Sequence, residues 1–123
     1  MPKYFMELKE RDLFRLGHIE ECIAKILELV ERLQEFKEFE LKWVEQDAMI
    51  RNFEIIGEAA NHVSSDTKNK HPEIEWHKLR GMRNFMTHEY FGIKLEVIWD
   101  TAVEDTPVLR KHIQQIIQDM AEE

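Results

Sequence analysis

The chain is expected to fold as an all-α, up-down bundle of about five helices, in a single domain over residues 1–123. Three observations lead there. Apolar residues recur every three or four positions over long stretches. No period-two alternation lasts more than a few residues, and only four Gly and three Pro interrupt 123 residues. Hydrophobic residues make up 43% and charged residues 34%, which fits a soluble globular domain and excludes a disordered chain.

The elements follow in order. The opening "MPKYFMELKERD" lacks the apolar stretch of a signal peptide. Leu16, Ile19, Ile23, Ile26, Leu27, Val30 and Leu33 then step along one face and predict a first helix over about 11–33. Cys22 lies in that stripe and reads as a packed thiol. One cysteine cannot form an internal disulfide, so a reducing, cytoplasmic setting is the default. "QEFKEFELKWVEQD" follows without Gly or Pro. A helix running through it could not fold back on itself, so a break is predicted near 34–43.

Met49, Phe53, Ile56, Ala60 and Val63 predict a second helix over about 45–64. Gly57 in its middle costs about 1 kcal/mol relative to Ala. It is either simply tolerated or admits a close neighbour. "SSDTKNKHPEIEW" reads as a linker, rich in turn formers and holding Pro72. A third helix is predicted from Glu75 to Phe91, stopped by Gly92. "LEVIWDTAVED" predicts a fourth. Thr106-Pro107 reads as the cap and first position of a fifth, carrying Leu109, Ile113, Ile116, Ile117 and Met120 on one face. Trp43, Trp76 and Trp99 are expected to anchor the core or an interface. No apolar run is long enough to span a membrane.

The formal net charge of −8 speaks against a broad basic surface for nucleic acid. Charge is unevenly spread, however. Thr67–Tyr90 holds five Lys or Arg against three Glu, and His71, His77 and His88 besides. A local cationic patch on an acidic body suits a phosphodiester better than a long duplex.

Within that patch, "RGMRNFMTHEYFG" packs Arg83, Asn84, His88 and Tyr90 into eight residues. At about 100° per residue, Leu79, Met82, Phe85 and Met86 share an apolar arc facing the core. Arg80, Arg83, Asn84, Thr87, His88 and Tyr90 all fall off it on one side, and Asn84 and His88 are four apart and can touch. Such a face could cleave RNA without a metal. Arg holds phosphate oxygens, His moves protons near neutrality, and RNA carries its own nucleophile in the 2′-hydroxyl. On spacing alone, a solvated helix face explains these residues more readily than a site does.

A resemblance changes that weighing. Arg83, four residues, His88, one residue and Tyr90 match the R-x4-H-x-Y signature of HepT-like toxins in the HEPN superfamily, the toxin halves of HepT/MntA (HEPN/MNT) toxin–antitoxin pairs. "QDAMIRNFEIIGEAANHVS", "HPEIEWHKLRGMRNFMTHEYFGI" and "LEVIWDTAVEDTPVLRKHI" resemble the family as well, so the likeness covers nearly the whole chain. It implies an all-α homodimer with the motif helices facing each other. It implies a metal-independent ribonuclease acting on cellular RNA, transfer RNA being a candidate, with Arg83 and His88 as the catalytic pair and Asn84 in support. The implied partner is a minimal nucleotidyltransferase antitoxin that neutralises the toxin by transferring AMP to Tyr90.

A di-iron bundle needs Glu-x-x-His pairs, and none of the six His has a Glu three residues before it. Glu58 and His62 read as an exposed helix pair, so no metal and no cofactor is expected. A Cys22 nucleophile lacks any activating neighbour in the sequence. A non-catalytic scaffold for the nucleotidyltransferase is the serious rival, although a scaffold needs neither Arg83 nor His88. Arg51-Asn52 echoes Arg83-Asn84. A salt bridge from Arg51 to Glu54 or Glu58 is the favoured account, and a second phosphate contact is the other.

Overall fold

The structure is a computed structural model that describes residues 3–88 and 94–123, with side chains described for 7–86 and from 94 onward. Among the described residues every regular element is helical: α1 (Lys3–Leu33), α2 (Phe36–Glu40), α3 (Trp43–Asn61), α4 (Ser65–Lys70), α5 (Trp76–His88), α6 (Leu95–Asp100), a π-helical turn (Thr101–Asp105) and α7 (Thr106–Ala121). The long helices pack in the order α5, α3, α1, α7, which makes α3 an inner helix covered by α1 on one side and α5 on another. No described helix is long and apolar enough to cross a membrane.

The periodic residues of α1 and α3 form the core, as expected. Leu16, Ile19, Ile23, Ile26, Met49, Phe53, Ile56 and Ala60 are all fully buried. Burying each large aliphatic or aromatic side chain contributes roughly 1.5–3 kcal/mol. Cys22 is buried too, and that burial pushes its thiol pKa above the ordinary value. This is the reverse of what a nucleophilic cysteine needs.

The break after α1 falls where predicted, and Gln34 makes it. Its φ of 70° lies in the left-handed region, while its amide donates to the Val30 carbonyl and its side chain donates to the Glu31 carbonyl. These bonds cap carbonyls that the helix end leaves open. The turn drops Phe39 of α2 fully into the core, 5.4 Å from the Trp99 ring. Gln46 of α3 then donates to the Phe39 and Glu40 carbonyls, at 3.0 Å each, and closes α2. An exposed run of charges thus holds one deep aromatic plug.

Several expectations need correction. The first helix begins at Lys3 rather than near residue 11. The linker contains a short helix, α4, capped by the Ser64 hydroxyl, which accepts from Thr67 N–H. Thr106 does not cap a new helix. It keeps helical dihedrals (φ −65°, ψ −35°), and its hydroxyl donates back to the Ala102 carbonyl. Pro107 has no N–H for the carbonyl four residues back and its ring crowds that carbonyl. The chain answers with a wider π-turn, in which Thr106 N–H reaches Thr101 O. The predicted fourth and fifth helices therefore run together. Trp76 and Trp99 are buried anchors, but Trp43 is 71% exposed. The predicted stop at Gly92 lies outside the described residues.

One buried carboxylate ties α1 to α4. Asp12 Oδ1 accepts from Ser64 N–H (2.9 Å), and Oδ2 accepts from the hydroxyls of Ser64 (2.5 Å) and Thr67 (2.6 Å). Nothing in the local pattern marks Asp12 for this, since its partners lie more than fifty residues away. Removing the acceptor strands an N–H and two hydroxyls. Asp12→Ala is expected to destabilise the fold by about 3 kcal/mol, and Asp12→Asn by less. The shift in urea midpoint checks this; an unchanged midpoint would show the network to be dispensable.

Candidate active site

The site is built where α5 crosses α3, and Gly57 makes the crossing close. A Cβ placed on Gly57 would lie 2.7 Å from Arg83 Cβ, 2.8 Å from Arg83 N and 2.8 Å from the Leu79 carbonyl oxygen. Of the two readings left open for this glycine, the close approach is the one the fold uses. The flanking Ala59 and Ala60 are also small and buried.

Arg83 is thereby brought against α3, where Glu58 meets it. Arg83 Nε lies 2.7 Å from Glu58 Oε2, and Glu58 Oε1 lies 3.1 Å from His62 Nε2. Glu58 Oε2 is shut off from solvent and, among the described residues, no N–H points at it in hydrogen-bond geometry, so the Arg83 contact is a charge contact rather than an aligned hydrogen bond. The Arg83 side chain remains 51% exposed. Glu58 meets it at Nε, and the guanidinium carries two terminal amino groups besides. Those groups form the planar fork that suits two phosphate oxygens.

The helix geometry holds for most of the predicted face. Leu79 and Met86 are buried against the core, while Arg80, Arg83 and Asn84 are exposed. Phe85, placed on the core arc by the wheel, is 41% exposed. It sits at the edge of that arc. Asn84 lines a depression of about 330 Å³ together with His77, Arg80 and Arg83. His88 is the last residue of α5, and its side chain lies outside the described residues. Tyr90 lies wholly outside them. The structure therefore unites Arg83 and Asn84 on one face and carries the helix as far as His88.

On the other side of Arg83, a groove of about 500 Å³ is lined by Arg15, His18, Arg51 and Glu58, among others. Of the two partners expected for Arg51, Glu54 or Glu58, Glu58 pairs with Arg83 and His62 instead, while Glu54 lines the same groove as Arg51. Glu58 is the residue that sequence reasoning missed in this role. The motif's spacing describes α5 alone, and Glu58 had been noted only as a neighbour of His62 or Arg51. A Gly-Glu step on the partner helix was the sole available signal.

The family model described as ribonuclease HepT-like matches residues 19–116. Among curated relatives, one from Thermococcus cleftensis bearing the name "Probable ribonuclease HepT" is 38% identical over 99 residues, covering 78% of this chain and 90% of its own. One from Caldanaerobacter subterraneus subsp. tengcongensis, named as a "Putative RNase", is 33% identical over 103 residues, covering 82% of this chain and 92% of its own. A "Putative RNase" of Methanocaldococcus jannaschii is 39% identical over 85 residues, covering 69% and 70%. No solved structure matches the chain significantly.

Proposed function

This chain belongs to the HepT-like ribonuclease family, and from that premise we propose that it is the toxin of a HEPN/MNT toxin–antitoxin pair, a metal-independent endoribonuclease acting on cellular RNA. The observation that carries the reading is the placement of Arg83. It stands on an exposed polar face, pinned at Nε by Glu58, with half its side chain open to solvent. Asn84 comes next on the helix, and His88 follows Asn84 by about one helical turn.

The chemistry then needs few parts. His88 takes the proton of a ribose 2′-hydroxyl. The freed oxygen attacks the adjacent phosphorus, the bond to the 5′ oxygen breaks, and that oxygen takes a proton from water. The product ends in a 2′,3′-cyclic phosphate. Arg83 holds the phosphate oxygens as charge builds on them, and Asn84 orients the imidazole or the phosphate. In a homodimer with facing motif helices, two copies of this set would share one cleft. The switch is Tyr90: AMP transferred there by a minimal nucleotidyltransferase adds bulk and negative charge beside Arg83 and His88, which excludes an RNA phosphate.

Incubating the purified protein with total RNA, transfer RNA included, in excess EDTA tests the activity. Cleavage with cyclic-phosphate ends is expected, and His88→Ala should be slower by about 10²–10⁴-fold. Intact RNA, or a His88→Ala variant that cuts as well as wild type, would remove the assignment. Co-expression with the nucleotidyltransferase should add the mass of AMP less water on Tyr90; an added mass mapped elsewhere would sink the switch.

A further inference from the structure

The groove on the α1 side of Arg83 reaches beyond the residues of the cleavage chemistry, and it too gathers cations. On a chain of net charge −8 it gathers Arg15 and His18 from α1, Arg51 from α3 and Arg83 from α5, against Glu54 and Glu58. Three separate helices supply the cations, so local sequence does not explain their meeting. Glu58 is already engaged by Arg83 and His62. Beside the groove on α1 stands Phe14, 68% exposed. The Arg15 guanidinium lies 6.0 Å from its ring centroid and the His18 ring lies 6.3 Å from it. Among the described residues nothing buries this large aromatic ring, which stands in water next to clustered cations.

We propose that this groove is a subsite for single-stranded RNA flanking the cleavage point, in which Arg51 and Arg15 hold backbone phosphates and Phe14 is a platform for one stacked base. The inference rests on the ribonuclease reading and extends it. A cationic track beside an exposed aromatic ring is the pairing that binds single strands with little regard to sequence, because every base offers a π-face and every nucleotide a phosphate. The distances suit it. Arg51 and Glu58, to which Arg83 is tied, lie seven residues apart on α3, about 10 Å along one helix face. Strand bound at Arg83 can therefore continue past Arg51 towards Arg15 and Phe14. A groove of about 500 Å³ accommodates a short stretch of nucleotide backbone but no duplex.

The test uses an oligoribonucleotide with every 2′-hydroxyl methylated, which binds without being cut, and follows its anisotropy from low to high salt. Arg51→Ala should weaken binding about ten-fold at low salt and reduce the slope of log affinity against log salt by about 0.7, the loss of one single-strand phosphate contact. Phe14→Ala should weaken binding about ten-fold with the slope unchanged, as expected for lost stacking rather than lost charge. Lys111→Ala removes one positive charge from α7, outside the groove, and should move neither. Both groove positions are exposed, and thermal melts verify that the variants remain folded. Wild-type binding that is absent, or that Arg51→Ala leaves with the same affinity and slope, overturns the subsite. Failure of wild type to cleave the unmethylated oligonucleotide overturns the ribonuclease reading instead, so the two failures are separable.

Discussion

Arg83→Ala is expected to lower the rate of RNA cleavage by about 10²–10³-fold, the usual effect of deleting one preorganised donor that meets developing charge. Arg83→Lys should recover only a small part of it. Lysine offers a point charge where the mechanism asks for a planar fork, and it has no counterpart of Nε with which to keep the Glu58 contact. Stability should barely follow. The Arg83–Glu58 pair is about half exposed on both sides, and pairs of that kind contribute about 1 kcal/mol or less. That corresponds to a melting shift of about 5 °C at most. Rate and melting temperature measured on one preparation therefore separate a chemical role from a structural one. A full-rate Arg83→Ala enzyme would show that the motif arginine is not part of the chemistry.

Among the described glycines, Gly57→Ala should be the damaging change, since a Cβ at Gly17 or Gly81 meets open space. The added Cβ would press on Arg83 N and on the Leu79 carbonyl oxygen at 2.8 Å, and on Arg83 Cβ at 2.7 Å. Two of these are backbone atoms, so relief comes only by moving α5 as a body. Overpacking of this sort costs about 1–3 kcal/mol, partly offset by the roughly 1 kcal/mol that alanine contributes to a helix over glycine. The net loss of stability is therefore modest. Activity should fall further than stability, because the displaced helix carries Arg83, Asn84 and His88 together, and a shift of about 1 Å in reacting groups can lower a rate about 10²-fold. A folded, well-populated Gly57→Ala protein with cleavage reduced ten- to a hundred-fold is the expected result. Wild-type activity in that variant would mean the crossing has slack that the distances do not suggest. The paired measurement also tests whether the site depends on the α3–α5 contact or only on α5.

Much of the molecule follows from period alone. Leu16 through Leu33, Met49 through Val63 and Leu109 through Met120 each mark one buried face, because a helix repeats its environment every 3.6 residues and apolar side chains record that repeat. The same rule placed Arg80, Arg83 and Asn84 on the exposed side of α5. It fails where a helix face ends: Phe85 sits at the margin of its arc and is 41% exposed. Thr106-Pro107 misled for a related reason. Proline's missing N–H opens a helix in one context and widens a turn in another, and the choice here goes with Thr106 being buried against the core.

The sequence by itself determined the long helices, most of their inward faces, the grouping of Arg83, Asn84, His88 and Tyr90 in one motif, and, through resemblance, the family. All of these are local properties: they depend on residues within a few turns of one another, or on a string that can be matched whole. The tertiary structure alone decided which helix lies against which. It turned Gly57 from a tolerated glycine into the floor of a crossing, gave Glu58 to Arg83, joined Asp12 to Ser64 and Thr67, and brought Arg15, His18 and Arg51 to one groove beside Phe14. Those pairings span up to 55 residues. No short-range pattern encodes them, because they arise only when whole helix faces compete for the same buried surface.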